Sequence, residues 1–276
     1  MEIFFTGLEF AAKNTVAFKR KKFSLNTNIG YYQALKSILK IRRADNVKFI
    51  RVGRQSDGGY VMADDFRKGG GGIAYSFGIS NEISWDADMA KRGYDVFMYD
   101  MTIDGLPYTH EKFHFFKEGI GGSKDAVKSL DTLKNFIKRN GHKNKFDMIL
   151  KMDVEGAEWD FLESVSSEIL MQFDQIVFEF HNLTAPKTSV EIGRTINLIA
   201  KINSTHTLVH LHGNNCGNYI QLEDVGCIPD TLELTYLRTK NRVFRDDEEI
   251  FLPIYLDTPN NLRLADIPIG YWNKLK

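Results

Sequence analysis

The stretch Phe146–Glu158, FDMILKMDVEGAE, constrains this chain more than any other. Phe146–Met152 is an apolar run broken only by Asp147 and Lys151, the pattern of a short strand buried on both faces. It stops at Asp153-Val154-Glu155-Gly156, and Ala157–Val165 then reads as a helix. In open α/β sheets, ligands sit outside the carboxyl ends of strands. Carboxylates there can accept hydrogen bonds from a ligand, bind a metal or take a proton. The plainer reading is a solvated turn whose acids sit at the positive end of a helix. The rest of the chain has to decide between the two.

The same order of strand, turn and helix recurs on both sides. Ile73–Phe77 is a strand that runs into Gly78-Ile79-Ser80-Asn81-Glu82, and Ile83–Arg92 is a helix. Tyr94–Tyr99 is the next strand and ends in Asp100, 22 residues after Gly78, a spacing that sets a carboxylate on a ribose. Lys112–Phe116 is a third strand, stopping at Lys117-Glu118-Gly119, followed by a helix at Ser129–Arg139. The fourth is the opening strand. Gln175–Phe180 is the fifth, leading to His181 and Asn182, with a helix at Val190–Asn203. Thr207–His212 and Tyr219–Gln221 flank a Gly213–Gly217 loop, and Thr231–Leu237 is the last core strand. Upstream lie a short helix near Gly7–Ala17, a helix at Tyr31–Arg42, a hairpin at Lys48–Met62 around Asp57-Gly58-Gly59, and a flexible link at Gly69–Gly72. Asp246–Glu249 reads as a solvated acidic turn.

Alternating β and α elements ending in consecutive strands predict an α/β fold. It is a doubly wound, mostly parallel sheet with an antiparallel edge strand, preceded by an N-terminal helix and hairpin extension. We divide the chain into a helical extension (1–47), a main domain (48–240) and a tail packing on the core (241–276).

Composition narrows the partners. Lys+Arg and Asp+Glu both number 36, so the net charge is zero and no broad nucleic-acid footprint is expected. The basic segment Lys13–Lys22 reads as a solvated start. Cys216 and Cys227 form no CxxC pair, which fits two free thiols in a reducing cytoplasm. No apolar stretch is long enough to span a bilayer, and the first residues lack the order of a signal peptide. A cytoplasmic location is expected; oligomeric state is not legible.

Together, RVGRQSDGGYVM, SFGISNEISWD, YDVFMYD, ILKMDVEGAEWDFL, HLHGNNC and PDTLELTYLR resemble the FkbM-type S-adenosylmethionine (SAM)-dependent methyltransferases, over roughly Lys48–Arg238. DVEGAEWD is the most specific segment. The resemblance implies a class I, Rossmann-like methyltransferase sheet, SAM as cofactor, and O-methylation of a sugar, polysaccharide precursor or related natural product. The chain departs from the common D-x-G-x-G turn, having Ser76-Phe77-Gly78-Ile79-Ser80 instead, so Glu82 or Asp57 become candidates for the methionine end.

The expected cofactor contacts are therefore Asp57, Phe77, Gly78, Ser80, Glu82, Asp100, Met101, Glu118, Gly119 and Asp153. Gly78 would allow close backbone approach; its plainer reading is a tight turn. Asp100 would accept from two ribose hydroxyls; its plainer reading is a helix cap. Glu118 or Gly119 would lie at the adenine edge. Methyl transfer from a sulfonium leaves the protein to orient the acceptor and remove its proton. Asp153, His181 and Glu155 are the catalytic candidates, with Asp153 or His181 as base. A divalent metal, Mg²⁺ or Mn²⁺, is a further candidate. Asp153, Glu179, His181, Asn182, His210 and His212 all fall near strand ends. Related metal-dependent O-methyltransferases, such as the catechol type, take ligands after the fourth and fifth strands, where Asp153, His181 and Asn182 stand. Trp85 and Trp159 read as helix–sheet packing. An NAD-dependent oxidoreductase is disfavoured by the missing G-x-G-x-x-G and Tyr-x-x-x-Lys, and a nucleic-acid methyltransferase by the missing N-P-P-Y. A non-catalytic SAM-binding scaffold is disfavoured by the presence of Asp100, Asp153 and Glu155.

Overall fold

The computed structural model describes residues 29–122 and 130–274. The helix expected near Gly7–Ala17, the basic segment Lys13–Lys22 and the first residue of the Ser129–Arg139 helix lie outside them. The chain runs through α1 (Ile29–Ile38), β1 (Arg42–Ala44) and an antiparallel hairpin of β2 (Phe49–Val52) and β3 (Tyr60–Ala63). Next come β4 (Gly72–Phe77), α2 (Ser84–Lys91), β5 (Tyr94–Tyr99) and β6 (Phe113–Phe116). The pair β7 (Gly119–Ile120) and β8 (Leu130–Asp131) leads to α3 (Leu133–Arg139) and β9 (Met148–Met152). After α4 (Glu158–Ser164) and α5 (Ser167–Leu170) come β10 (Phe173–Phe180), α6 (Ser189–Asn203) and β11 (His206–Gly213). A second hairpin, β12 (Tyr219–Leu222) and β13 (Gly226–Pro229), precedes β14 (Leu232–Arg238). The tail adds β15 (Phe244–Asp246), β16 (Phe251–Leu252) and β17 (Gly270–Tyr271).

The main sheet has seven strands in the order β11-β14-β10-β9-β4-β5-β6. From β10 to β6 all neighbours are parallel, and β14 runs antiparallel to both β10 and β11. The expected antiparallel edge is thus a pair of strands: the reversed strand, β14, lies one place in, and β11 forms the rim. The chain moves outward from β4 to β6 and returns to the far side of β4 for β9. The β4–β9 boundary is therefore the switch point, where such sheets open a ligand crevice.

Every residue of β9 is buried. Met148, Leu150 and Met152 enter the larger core with Leu35 of α1, Phe136 of α3, Phe161 of α4 and Ile199 of α6. Ile149 points the other way, toward Met89 of α2 and Val52, Tyr60 and Met62 of the hairpin. Each such apolar side chain contributes about 1.5–3 kcal/mol of burial. Lys151 and Asp153 share the face of Ile149, because side chains alternate along a strand. On that face the sheet turns polar toward its carboxyl edge. Glu179 of β10 stands opposite Glu233 of β14, which stands opposite His212 of β11.

Four local expectations change; among them, Leu130–Asp131 pairs as β8, so the helix expected over Ser129–Arg139 begins only at Leu133, capped by Thr132. The first helix stops at Ile38, and Arg42 belongs to β1, whose exposed arginines pair along β15, Arg42 opposite Asp246. Gly72 opens β4 rather than completing a link; a Cβ there would come within 2.4 Å of the Tyr94 ring. Asp246 lies in β15 and pairs with Lys40 and Arg42 rather than sitting in a free turn. The tail returns to α1: the fully buried Trp272 donates from its indole to the Leu39 carbonyl at 2.8 Å.

Candidate functional site

The turn after β4 and the ends of its neighbours β5 and β9 lock together. Gly78 has φ +77°, and a Cβ there would lie 1.5 Å from the Asp153 carbonyl oxygen, so β9 itself demands glycine. Asp100, after β5, closes the turn. Its Oδ2 accepts the N–H groups of Ile79 and Ser80, both at 2.8 Å, and its Oδ1 accepts the Thr102 N–H at 2.7 Å and hydroxyl at 2.6 Å. Burial alone would raise the Asp100 pKa, but the bonds from Ser80, Thr102 and Ile79 outweigh it and hold the carboxyl below its ordinary range. Ser80 sits at φ +50°, a conformation rare for a residue with a side chain.

The other expected cofactor residues distribute around this turn. Phe77 sends its ring into the larger core, stacked on Tyr99, so only its backbone faces the site. Its carbonyl accepts the Asp153 N–H at 3.1 Å. Met101 is 40% exposed, and a Cβ on Gly119 would meet its sulfur at 2.8 Å. Glu118 is held by Arg139 through two bonds of 2.8 and 2.9 Å. Glu82 accepts the Ser84 N–H at 2.7 Å at the start of α2 and pairs with Arg54. Asp57 lies toward β14, where it accepts from the Asn260 amide at 3.1 Å.

The chemical candidates do meet. Asp153 Oδ2 accepts from the Tyr60 hydroxyl at 3.0 Å, and the same hydroxyl stands 3.3 Å from Glu179 Oε2. Burial pushes the Asp153 carboxyl up, against the pull of Lys151 and His181. Burial and the charge of Asp153 push Glu179 up to about 8. His181 faces three acids: Glu158 at 3.2 Å on Nδ1, and Glu155 and Glu179, each at 3.5 Å, on Nε2. Burial would lower its pKa, but hydrogen bonds to Glu158 and Glu179 raise it to about 11. Glu155 is largely exposed and sits at φ +55°. Asn182, at φ +63°, turns its amide toward Gly156. Trp159 donates to the His181 carbonyl at 3.0 Å, and Trp85 is buried in the second core, as packing residues should be.

The polar row continues across β14 and β11. The Asn214 amide donates to Glu179 at 2.7 Å, and the Asn260 amide to Glu233 at 2.6 Å. His212 bridges Glu233 at 2.9 Å and Asp266 of the tail at 3.0 Å; His210 holds Asp257 of the tail at 2.9 Å. The two histidines therefore clamp the tail rather than line an open site. Among the described residues, Asp153, Glu179 and His181 bring one ligand atom each within 4.8 Å of the others. Glu179 thus joins Asp153 and His181, two of the metal candidates that the resemblance to catechol-type enzymes implies, while Asn182 lies outside the group.

The arrangement sets a carboxylate of raised basicity at the switch point, with a phenol donor behind it. Glu158 and Lys151 are participants that sequence reasoning missed, as is the contact of Tyr60 with Asp153; the resemblance implies only that Asp57–Tyr60 lies over the cofactor entrance. Tyr60 contacts Asp153 across 93 residues of chain, and no local pattern encodes that approach.

Residues 89–217, just under half of the chain, match the family model of the methyltransferase FkbM domain. That span includes the Asp100, Asp153 and His181 strand ends; the β4 turn and Tyr60 precede it. A human relative, "Probable methyltransferase-like protein 24", is 28% identical over 116 residues, 39% of this chain and 32% of its own length. The chain thus matches about a third of that relative. A solved structure, "Putative hemolysin from Streptococcus thermophilus", aligns with TM-score 0.37 and 10% identity over 66% of this chain and 72% of its own.

Proposed function

From the premise that residues 89–217 carry an FkbM methyltransferase domain, we propose that the chain is a SAM-dependent O-methyltransferase acting on a hydroxyl of a sugar, polysaccharide precursor or related natural product. The observation that carries this reading is the meeting of a Gly turn, a strand-end acid and a buried base at the switch point. Residues of this chain fit SAM. The Gly78–Ser80 turn would lie against its methionine end, Asp100 with Thr102 toward the ribose, and exposed Met101 with Gly119 toward the adenine. When bound, SAM would supply a methyl group on a positively charged sulfur, reactive without covalent help from the protein.

The protein's own share is orientation and proton removal. A sugar hydroxyl is a weak nucleophile at neutral pH. Asp153, made more basic by burial, takes its proton, and Tyr60 holds the carboxylate in place from behind. His181, pinned by Glu158, keeps a positive charge beside the acids and stops the buried cluster from repelling itself apart. A divalent cation would fit the same donors only by displacing the Nε2 proton of His181; Asp153, Glu179 and His181 would then offer two carboxylates and an imidazole oriented by Glu158 on its far nitrogen. Such an ion would add Lewis acidity. We assign the acceptor to the small-molecule or glycan class; no helix of the described residues is long and apolar enough to cross a membrane.

Two measurements test the reading. Calorimetric titration should show SAM binding and no NAD binding. Transfer of label from methyl-labelled SAM to a panel of free and lipid-linked sugars should find an acceptor, and chelation by EDTA reports whether an ion takes part. A chain that binds NAD and ignores SAM would end the proposal.

A further inference from the structure

Lys151 is the only charged residue of β9, and its side chain is 5% exposed. Its ammonium donates to the Gly78 carbonyl at 2.7 Å, stands 3.9 Å from Asp153 Oδ2 and lies over the Tyr60 ring. Ser76 of β4 is its partner in the sheet register. Asp86, on the buried side of α2, is fully enclosed, and neither of its carboxylate oxygens nor the Ser76 hydroxyl completes a hydrogen bond of good geometry. Burial pushes the Asp86 carboxyl up, while the charge of Lys151 and then the hydroxyl of Ser76 draw it back. A buried ammonium without opposing charge would be ejected from a strand interior. Here two acids, Asp86 and Asp153, oppose it, and one of its three donors is committed to a backbone carbonyl.

We propose that Lys151 is a positioning residue that ties the cofactor turn to the chemical centre, fixing the Gly78 carbonyl at the end of β4 and the Asp153 carboxylate at the end of β9 with a single ammonium. The carbonyl it holds precedes the Ile79 and Ser80 N–H groups that Asp100 accepts. Lys151 therefore sets the plane of the peptide on which that closure depends. Its second partner, Asp153, is the proposed base, so displacement of the turn and displacement of the base are one event. This rests on reading the turn as the seat of SAM.

The test separates fold from site. Lys151→Met removes the ammonium and keeps the apolar stem. SAM affinity measured by calorimetry should fall about tenfold or more, the worth of one hydrogen bond from a charged donor. The variant should also melt earlier, because Asp86 and Asp153 lose their counter-charge. The double variant Asp86→Asn/Lys151→Met removes charge of both signs. It should regain much of the lost melting temperature while SAM affinity stays low. A double variant that binds SAM within about twofold of the wild type would overturn the proposal and leave Lys151 a purely structural charge. Lys151→Gln, too short to reach Gly78, replaces Lys151→Met with the same two outcomes if the latter does not fold. A wild-type chain that binds no SAM at all would instead reject the cofactor reading, and this inference with it.

Discussion

Asp153→Asn keeps size and most hydrogen bonding but removes charge and basicity. With an acceptor in hand, kcat should fall about 10²–10⁴-fold while SAM affinity changes little. Near-normal kcat would take Asp153 out of the chemistry; His181, raised to about 11 and so protonated near neutral pH, does not replace it as base, which corrects the expectation that it could. Asp100→Asn tests the other half of the site. The carboxylate accepts four hydrogen bonds, and an amide offers one acceptor and an unwanted NH₂ to the same N–H groups. Bonds to a charged acceptor contribute about 1.5–3 kcal/mol each, so SAM affinity should drop at least about tenfold and the melting temperature should fall with it. Unchanged SAM affinity would make Asp100 a closure of the turn and nothing more. Residue-level legibility followed chain distance. Asp153, His181 and Asp100 were visible because each ends an apolar run. Lys151 was visible only as an interruption of such a run, since its role depends on Gly78, 73 residues away. Tyr60 looked like half of a hairpin, since its partner lies on another element.

Two glycines test how elements are held. Gly78→Ala places a Cβ 1.5 Å from the Asp153 carbonyl at a φ that alanine rarely adopts, so strands β4 and β9 must part. We expect a poorly folded or strongly destabilised chain, read as a loss of cooperative thermal unfolding. Gly193 lies within α6 with nothing within 4 Å of its Cβ position. Gly193→Ala should stabilise the chain by about 0.5–1 kcal/mol through the lower backbone entropy of its unfolded state, measured as a rise in the urea midpoint. A loss of stability there would mean an unseen constraint on α6. The strands that could be read from the sequence were the largely buried ones: β4, β5, β9 and β10 are mostly apolar, interrupted by residues such as Asp95, Lys151 and Glu179. Among those that could not be read, β1 and β15 carry Arg42, Arg43, Arg245 and Asp246 and are held by pairing and salt bridges rather than by burial. The hairpin β2–β3 announced itself through Asp57-Gly58-Gly59. The end of α1 did not, because the helical pattern continues past Ile38 while the chain turns to meet Trp272.

Across the molecule, the buried histidines should make stability depend on pH in opposite directions. Burial would lower the pKa of His212, but Asp266 and Glu233 raise it to about 10, above its ordinary 6.5. Its clamp on the tail is therefore at full strength below about pH 6.5 and is lost as pH rises toward 10. His206 is held neutral by burial, down to about 4, so its contribution is present above 6.5 and is lost as pH falls toward 4. Urea midpoints should fall between about pH 6.5 and about pH 10, and His212→Gln should make that alkaline decline shallower, leaving the part that His181, raised to about 11, contributes with the same sign. A wild-type profile that is flat across the alkaline range would dissolve the clamp. The order of the sheet has a further consequence, for synthesis. β14 is the last core strand in sequence, yet it sits between β10 and β11, and neither of those has another partner on that side. A nascent chain emerging from the ribosome therefore carries the raw edge of β10 once Phe180 is made, and that of β11 once Gly213 is made, until β14 follows. Both wait on residues 232–238, which makes that late heptapeptide the natural point for a chaperone to hand the chain over to its own fold.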